Sequence, residues 1–334
     1  MEVYLLQSER ALIDKIKDFN MEKLAIIGCG TMGHSIALSA AWAGLQVRMY
    51  GTNETDGEQG KKGIMMKLKV LAKHEILSEQ ELALVMERIF ITTSMDEVLA
   101  GCTFVIEAVP ENIELKKNLF LQLDKLLNKN VILASNTSAL SPTDIASTAE
   151  HPERILVTHF WNPAHLVPLV EIVRGERTND ESVQRALGLL RFMKKKPIEV
   201  KKEVPGFVAN RLQFALFREA QYLLENGIAS KEDIDAAVVY SIGRRLSVTG
   251  PLVSADMGGL DVFDAISDYL FPALSKAERS SPALKELIAN NKLGSKSGEG
   301  YYRWDTSFTE KMNDSREAEL IRYMKQDAGN DNPQ

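Results

Sequence analysis

Three short polar segments interrupt apolar runs that are typical of buried strands. They are residues 107–111 (Glu-Ala-Val-Pro-Glu), 135–138 (Ser-Asn-Thr-Ser) and 159–163 (His-Phe-Trp-Asn-Pro). Each segment lies at the predicted end of a strand. In an open parallel sheet, ligands bind outside the carboxyl ends of the strands, so polar side chains from distant parts of the chain can converge there. We therefore expect the three segments to border one site.

His159 and Glu171 form a candidate catalytic pair. Glu171 lies in a later apolar run, and an intervening turn that contains Pro163 could bring the two side chains within hydrogen-bond distance. Oxidation of a secondary alcohol requires a hydride to leave carbon while a proton leaves oxygen, and an imidazole with an ordinary pKa of about 6.5 can accept that proton at neutral pH. Glu171 would fix the tautomer and stabilise the imidazolium. Ser138 and an amide such as Asn210 could hold the substrate oxygen.

The alternative interpretation of His159 is a hydrogen-bonded structural histidine at the end of a strand. The neighbouring acid and polar segments favour the catalytic role. His165 competes with it, but His165 lies beside the apolar run 166–170 and has no acid adjacent to it, so we predict that it forms part of the wall. His34 is predicted to be structural or solvated.

The segment 28–33 (Gly-Cys-Gly-Thr-Met-Gly) has the pattern G-x-G-x-x-G between a predicted strand, 24–27, and a predicted helix, 32–43. The first glycine permits the tight turn, the second lets the backbone approach a pyrophosphate, and the third lets the helix lie close to the strand. Free N–H groups at the start of the helix favour phosphate. The alternative is a turn whose glycines serve packing alone, and the strand–helix context favours a dinucleotide. The predicted cofactor-binding residues here are Gly28, Gly30, Thr31, Met32 and Gly33.

The second half of the dinucleotide fingerprint is missing. Where a carboxylate would bind the ribose hydroxyls, the chain has Tyr50-Gly51-Thr52-Asn53, with Glu54 slightly later. We expect Asn53 to contact the cofactor. NADP stays an alternative because no acid at Gly51 would repel a 2′-phosphate. NAD is favoured because no arginine follows directly to attract that phosphate.

The elements that would position these residues fall into two groups. The 334 residues suit two domains. Short apolar runs alternate with helical stretches as far as about residue 200, which predicts a Rossmann-type, doubly wound, mostly parallel α/β sheet. Helices at 212–224, 231–240, 255–270 and 282–289 predict an all-α second domain. The predicted divisions are an N-terminal extension (1–20), a dinucleotide-binding domain (21–203) with an inserted helical hairpin (about 60–88), and a helical domain for dimerisation and substrate binding (204–334).

Composition excludes several classes of function. The formal net charge is −6, so a broad nucleic-acid-binding face is not expected. No apolar run reaches the roughly 18 residues that a membrane span requires. The first twenty residues do not resemble a signal peptide, so the protein is expected to be cytoplasmic. The two cysteines, Cys29 and Cys102, are far apart in the sequence and leave no thiol ligand set, so no metal site is predicted.

Taken together, these motifs resemble the 3-hydroxyacyl-CoA dehydrogenases, including the bacterial 3-hydroxybutyryl-CoA dehydrogenases. The likeness extends from about residue 22 to residue 304. Besides the segments above, it rests on residues 169–171 (Leu-Val-Glu), 205–212 (Pro-Gly-Phe-Val-Ala-Asn-Arg-Leu) and 294–301 (Gly-Ser-Lys-Ser-Gly-Glu-Gly-Tyr). The resemblance implies an NAD-dependent enzyme of short-chain acyl-CoA and fatty acid metabolism that acts as a homodimer through its helical domain.

The resemblance also implies roles for single residues. His159 would be the catalytic base, Glu171 its orienting partner, and Ser138 and Asn210 ligands of the substrate oxygen. Glu111 and the loop at Asn136 would border the nicotinamide. Lysines of the helical hairpin would help to hold coenzyme A, with Lys61 and Lys67 as candidates; the alternative for that lysine face is simple solvation.

The chain departs from the family pattern at positions that concern the substrate. The family commonly has Phe where Trp161 stands, and Val167-Pro168 resembles the gulonate and carnitine dehydrogenases, which oxidise small hydroxy compounds without coenzyme A. Residues 243–251 resemble that branch too, and Arg244 or Arg245 would suit a free carboxylate. A dehydrogenase of a small free 3-hydroxy compound is therefore one alternative. A crystallin-like relative without turnover is another.

Overall fold

The computed structural model describes residues 22–330, so the predicted N-terminal extension (1–20) lies outside the described residues. The described chain forms two compact units. The first comprises residues 22–208 together with 318–330, and the second is Ala209–Glu317. In the described part of the chain, no helix has the length and apolar character needed to span a membrane.

Within residues 22–330, eight strands form one sheet in the order β3-β2-β1-β4-β5-β6-β7-β8. The strands are β1 Lys23–Ile27, β2 Gln46–Tyr50, β3 Ile89–Thr92, β4 Phe104–Glu107, β5 Ile132–Ser135, β6 Ile155–Phe160, β7 Leu169–Arg174 and β8 Lys196–Val200. Neighbouring strands are parallel except for β6 and β7, which run antiparallel. The predicted Rossmann-type, mostly parallel sheet is therefore confirmed.

Helices cover both faces of the sheet. Those of the first unit are α1 Thr31–Trp42, α2 Glu54–Lys73, α3 Glu79–Glu87, α4 Met95–Leu99, α5 Ile113–Leu126, α6 Pro142–Ile145 and α7 Asp180–Phe192. The central strands β4, β5 and β6 are buried along their whole length. Burial on both faces is why these strands are mostly apolar rather than alternating. Large apolar cores form on both faces of the sheet. A third, smaller cluster joins Val157, Val173 and Val200 of the last three strands to Phe207.

Helices α2 and α3 occupy the segment for which the sequence predicts a helical hairpin. Helix α2 begins earlier than expected, at Glu54, directly after β2. Its start is fixed by Asn53, whose side chain accepts a hydrogen bond from the backbone N–H of Asp56 at 3.0 Å. An asparagine at this position satisfies one of the free N–H groups of the first turn, so the helix can begin after a connection of only three residues, 51–53.

The second unit is helical. Its helices are α8 Ala209–Glu225, α9 Lys231–Ala237, α10 Gly243–Leu246, α11 Pro251–Gly258, α12 Leu260–Leu270 and α13 Pro282–Ala289, and a π-helical turn, Val238–Ile242, joins α9 to α10. The single helix predicted over 255–270 is wrong. The backbone breaks at Gly259, whose φ of 90° lies outside the helical range and is accessible to glycine without strain.

A long final helix, α14 Thr306–Asn330, belongs partly to each unit. From residue 318 onward it is part of the first unit, whereas the sequence analysis places this stretch in the helical domain. The reason is a short apolar stripe in an otherwise polar segment: Ile321 is buried in the first unit's core, with Leu320 and Met324 beside it. The Nζ atom of Lys325 also donates to the carbonyl of His74 at 3.0 Å.

Candidate active site

His159 and Glu171 are direct register partners on β6 and β7. Opposed residues of an antiparallel pair project their side chains from the same face of the sheet, so the two groups meet although they are distant in sequence. The Nδ1 atom of His159 lies 2.8 Å from Oε2 of Glu171. The histidine is 5% exposed and the glutamate is fully buried. The structure thus brings the predicted pair together.

The surroundings of Glu171 fix its role as an acceptor. Its Oε1 accepts from the backbone N–H of Val208 at 2.9 Å, and its Oε2 accepts from Nε1 of Trp161 at 3.3 Å as well as from His159. A buried carboxylate that receives several donors is stabilised in its charged form. Because a carboxylate only accepts, Nδ1 of His159 is the donor in this contact, and Nε2 is the ring atom left to accept a proton.

Two aromatic rings pack against the imidazole. The ring centroid of Trp161 lies 5.4 Å from that of His159, and the centroid of Phe207 lies 5.7 Å away. Phe207 is buried and sits where the chain leaves the sheet. These rings exclude water from the histidine–glutamate contact, which strengthens its electrostatic interaction.

A second buried charge pair organises the ends of β4 and β5. Glu107 accepts from Nζ of Lys116 at 2.6 Å, from the backbone N–H of Val109 at 2.7 Å and from Oγ of Ser135 at 2.6 Å. Glu107 is fully buried and Lys116 is 1% exposed. The sequence gives no signal for a role of Lys116, because a lysine on a helix such as α5 is by default exposed.

Glu111 ties the loops after β4 and β5 to each other. Its Oε1 accepts from Oγ1 of Thr137 and, at 3.1 Å, from the backbone N–H of Ser138. Its Oε2 lies 3.4 Å from Nζ of Lys116. The side-chain oxygen of Asn136 accepts from the backbone N–H of Phe160, the residue after His159, at 3.0 Å. Hydrogen bonds therefore link the three polar segments, as the sequence analysis expects.

The two predicted ligands of the substrate oxygen lie in different units. Ser138 is exposed on the loop after β5 in the first unit. Asn210 is the second residue of α8 and belongs to the second unit. Their predicted roles remain predictions.

The glycine turn has the geometry that a dinucleotide requires. A Cβ atom at Gly33 would overlap the carbonyl of Gly28, so α1 can approach β1 this closely only with glycine there. A Cβ at Gly30 would meet no described atom within 4 Å, which leaves open space beside the turn. Gly30 is also the N-cap of α1, so no cap side chain covers the free N–H groups at that terminus. These residues fit the pyrophosphate of a dinucleotide.

The other residues predicted to bind the cofactor or the substrate differ in their exposure and contacts. Thr31 is exposed, and Met32 packs against the core. The side chain of Asn53 serves α2 as its cap. Lys61 is exposed on the same helix.

Two further basic residues that the sequence analysis proposed for the substrate contact other side chains. Nζ of Lys67 lies 2.9 Å from Nε2 of His34, and Nδ1 of that ring lies 3.2 Å from the carbonyl of Cys29. In the second unit, the guanidinium of Arg244 lies 4.9 Å from the centre of the Tyr240 ring. Neither contact assigns a substrate role.

Two buried basic residues lie in or beside the loop between β6 and β7. His165, predicted to be a wall residue, is buried, and its Nδ1 lies 3.0 Å from Oγ of Ser35. Burial, with a smaller effect of Lys67, lowers the pKa of His165 to about 3, so the ring is neutral. Lys195, which the sequence analysis missed, donates to the carbonyls of Ala164 and Val167 in that loop. Burial lowers the pKa of Lys195 to about 7.

The fold and the buried histidine–glutamate pair define the class as an NAD-dependent dehydrogenase that acts on a CH–OH group. Residues 23–204 match the model of the 3-hydroxyacyl-CoA dehydrogenase NAD binding domain, and residues 206–304 match that of the 3-hydroxyacyl-CoA dehydrogenase C-terminal domain. The chain belongs to the 3-hydroxyacyl-CoA dehydrogenase family, which confirms the resemblance found in the sequence.

Individual relatives differ in their substrates. The chain is 34% identical to 5-formyl-3-hydroxy-2-methylpyridine 4-carboxylate 5-dehydrogenase of Mesorhizobium japonicum, over 90% of this chain and 96% of the relative. It is 35% identical to a probable 3-hydroxybutyryl-CoA dehydrogenase of Bacillus subtilis, over 85% of this chain and 98% of the relative. A crystal structure of the pyridine-derivative dehydrogenase, an NAD+-dependent dismutase, superimposes with a TM-score of 0.85 at 33% identity, covering 92% of this chain and 99% of that one.

Proposed function

We propose that the protein is an L-3-hydroxyacyl-CoA dehydrogenase of the 3-hydroxybutyryl-CoA type, acting in short-chain acyl-CoA or fatty acid metabolism. The observation that carries this proposal is the buried contact between His159 and Glu171 beside the linked ends of β4, β5 and β6. Relatives named as 3-hydroxybutyryl-CoA and hydroxyacyl-CoA dehydrogenases support the acyl-CoA substrate.

The chain's own residues account for the proton in this reaction. A bound NAD would supply the acceptor for the hydride that leaves C3 of the substrate. Nε2 of His159 accepts the hydroxyl proton, so the imidazole becomes an imidazolium. Glu171 stabilises that positive charge through Nδ1, and the packed rings of Trp161 and Phe207 keep water from competing for the contact. In the reducing direction the imidazolium returns the proton to the carbonyl oxygen.

Other site residues have positioning roles in this proposal. We assign Ser138 and Asn210 to the substrate oxygen, and Glu111 with Asn136 to the border of the nicotinamide. The bond between Asn136 and the backbone of Phe160 supports this assignment, because it fixes the loop after β5 beside the strand that carries His159.

A second candidate substrate is a small free carboxylate that bears a hydroxyl or aldehyde group. The specific observation that favours it is the similarity to the pyridine-derivative dehydrogenase, which extends over nine-tenths of both chains. Val167-Pro168 resembles the gulonate and carnitine dehydrogenases, which also act on small free compounds, and Arg244 is a candidate for the carboxylate.

A substrate panel separates the two candidates. The purified protein is assayed for NADH oxidation with acetoacetyl-CoA, and for NAD reduction with free gulonate, carnitine and a pyridine aldehyde carboxylate. We expect kcat/KM to be highest for acetoacetyl-CoA. Turnover of the pyridine compound with none of the CoA ester would transfer the assignment to the second candidate. A protein that binds NAD and turns over no compound of the panel would favour the crystallin-like alternative.

His159→Gln tests the proton acceptor itself. The variant should bind NADH as the wild type does and lose about 10³-fold in kcat, because general base catalysis contributes 10²–10⁴-fold. His151→Gln is the matched control. His151 is half-exposed, and its Nδ1 lies 3.5 Å from Oε1 of Glu153, which is not a residue of the site. Equal activity of both variants would remove His159 from the mechanism.

We further propose that the protein is a homodimer that associates through its second unit. None of the described residues of α8 is buried, and several large apolar side chains of this unit are strongly exposed, with Leu252 at 82% and Met257 at 75%. An apolar surface of this extent is typical of an interface between subunits. Sedimentation should give the mass of two chains. Leu252→Asp should give monomers, whereas Leu126→Asp, at an exposed leucine of the first unit, should not.

We propose the cytoplasm as its location. Cys29 and Cys102 are both free and buried, which suits a reducing compartment. Fractionation of the source cells tests this placement, and recovery of the protein with the membrane or an exported fraction would contradict it.

A further inference from the structure

The end of β2 is crowded at the position of the carboxylate that usually binds the adenine ribose. In dinucleotide-binding folds, an acid about 20 residues after the glycine turn accepts hydrogen bonds from the ribose hydroxyls. Here that place is taken by Gly51. A Cβ atom at Gly51 would lie 3.0 Å from the backbone N of Gly57 and 3.3 Å from the carbonyl of Asn53. The first turn of α2 would therefore have to shift by a few tenths of an ångström to admit any side chain at this position.

That same turn carries an acid to the end of β2. Oδ2 of Asp56 accepts from the backbone N–H of Thr52 at 2.9 Å and from its Oγ1 at 3.2 Å. Both bonds use one oxygen, and Oδ1 makes no hydrogen bond to any residue that the structure describes. The carboxylate is half-buried and is fixed at the residue that follows Gly51. A carboxylate that belongs to α2 is therefore held at the end of β2.

The position is adjacent to the glycine turn. The backbone N–H of Gly28 donates to the carbonyl of Tyr50 at 3.0 Å, which joins the turn to the end of β2. A Cβ at Gly60, one turn after Asp56, would lie 3.0 Å from Cβ of Cys29, so α2 packs directly on the turn. Burial raises the pKa of the Cys29 thiol to about 11, and the negative charge of Asp56 adds to that rise.

The nearest arginine in the sequence does not offset this charge. Arg48 donates from NH1 to the carbonyls of Glu97 at 2.9 Å and Ala100 at 2.6 Å. Its guanidinium is thereby held by backbone oxygens of the α4 region. A 2′-phosphate at the end of β2 would face the Asp56 carboxylate instead.

We propose that Asp56 binds the adenine ribose in place of the missing strand-end acid and selects NAD over NADP. Its free Oδ1 accepts hydrogen bonds from the 2′- and 3′-hydroxyls, and its charge repels a 2′-phosphate. The proposal deepens the assignment of NAD as the cofactor, and it does not depend on which substrate the protein uses.

The test measures dinucleotide binding to the whole chain by fluorescence titration with NADH and NADPH. Asp56→Asn should raise the Kd of NADH about tenfold, which corresponds to losing one hydrogen bond to a charged acceptor. The same variant should lower the Kd of NADPH. Glu54→Gln is the matched control, because it removes an exposed acid from the same turn, and both Kd values should stay within about twofold. An unchanged ratio of the two Kd values in Asp56→Asn would overturn the proposal.

Asp56 could instead serve only to hold the turn through its bonds to Thr52, and two further variants test that alternative. Thr52→Val removes the hydroxyl contact and keeps the carboxylate, so NADH affinity should change little. Asp56→Ser keeps a short acceptor for the Thr52 backbone and should show the same change in cofactor preference as Asp56→Asn. If Thr52→Val reproduces the loss in NADH affinity, Asp56 acts through the turn and the proposal fails. Acetoacetyl-CoA turnover by the wild type, measured in parallel, reports on the proposed function independently.

Discussion

Trp161 donates its indole N–H to Glu171, and it does so to the same oxygen that receives the imidazole N–H of His159. The distance is 3.3 Å for the indole and 2.8 Å for the imidazole. The carboxylate is therefore held by two side chains that flank the reacting position, and its other oxygen is held by the backbone of Val208. Orientation of the acid does not depend on the histidine alone.

Glu171→Gln should reduce kcat by about 10²-fold or more at neutral pH, because an amide cannot stabilise the imidazolium that forms when the proton is transferred. Binding of NADH should change by less than about twofold, since the glycine turn is unaffected. Steady-state kinetics and fluorescence titration measure the two effects. Glu199→Gln on β8 is the control, because Glu199 pairs with Arg174 at 3.1 Å and does not contact His159. Unchanged turnover of Glu171→Gln would exclude the carboxylate from the mechanism.

Trp161→Phe should have a smaller effect. The variant keeps an aromatic ring beside the imidazole and loses one long hydrogen bond, so kcat/KM should fall about three- to tenfold. Trp161→Ala should lose considerably more, because it also admits water to the histidine–glutamate contact. The comparison of the two kcat/KM values separates packing from hydrogen bonding. Equal losses in both variants would show that the indole N–H, rather than the ring, is what matters.

Lys116→Met should destabilise the first unit by about 3–5 kcal/mol, because it leaves the fully buried Glu107 without its cation. The double variant Lys116→Met with Glu107→Gln should recover part of that loss, since no uncompensated charge remains. Urea unfolding gives the free energies. Lys117→Met is the control, because Lys117 lies 3.8 Å from Glu114 in a surface pair and should contribute less than about 1 kcal/mol. A double variant less stable than the single one would contradict the charge argument.

Lys195 should make stability depend on pH. Its pKa is lowered to about 7 in the folded protein from an ordinary value of 10.5, so between these values the unfolded chain holds a proton that the folded protein has lost. The unfolded state binds more protons in this window, and the stability of the wild type relative to Lys195→Met therefore rises as pH increases. Urea unfolding of both proteins at about pH 6.5 and about pH 9.5 measures the difference. A wild-type advantage that shrinks toward high pH would refute this assignment.

The parts of the fold that the sequence predicts correctly are those where one local pattern determines the outcome. Continuous apolar runs identify β4 and β5, because strands covered on both faces have no polar alternation. The pattern G-x-G-x-x-G between a strand and a helix likewise predicts the glycine turn from local sequence alone. His159 and Glu171 are found because chemically unusual residues interrupt apolar strands, although only the antiparallel register shows why they meet.

The features that sequence inspection misses depend on tertiary contacts. In the sequence Lys116 is an ordinary helix residue, and only the folded structure shows that its Nζ contacts the buried Glu107. Asp56 lies at the end of β2 because Gly51, which has no side chain, lets the first turn of α2 pack closely there. The break at Gly259 needs one left-handed residue in an otherwise helical pattern, and glycine permits that conformation without requiring it.

The return of α14 to the first unit has a consequence for protein synthesis. Residues 318–330 are translated after the whole second unit, yet Ile321 fills part of the core of the first. When residue 208 leaves the ribosome, the nucleotide-binding unit is still missing a piece of its interior. At the usual speed of translation, the intervening segment takes roughly 5 to 20 s to make. During that delay a partly uncovered apolar core is available to chaperones, and the dinucleotide-binding unit reaches its final form only afterwards.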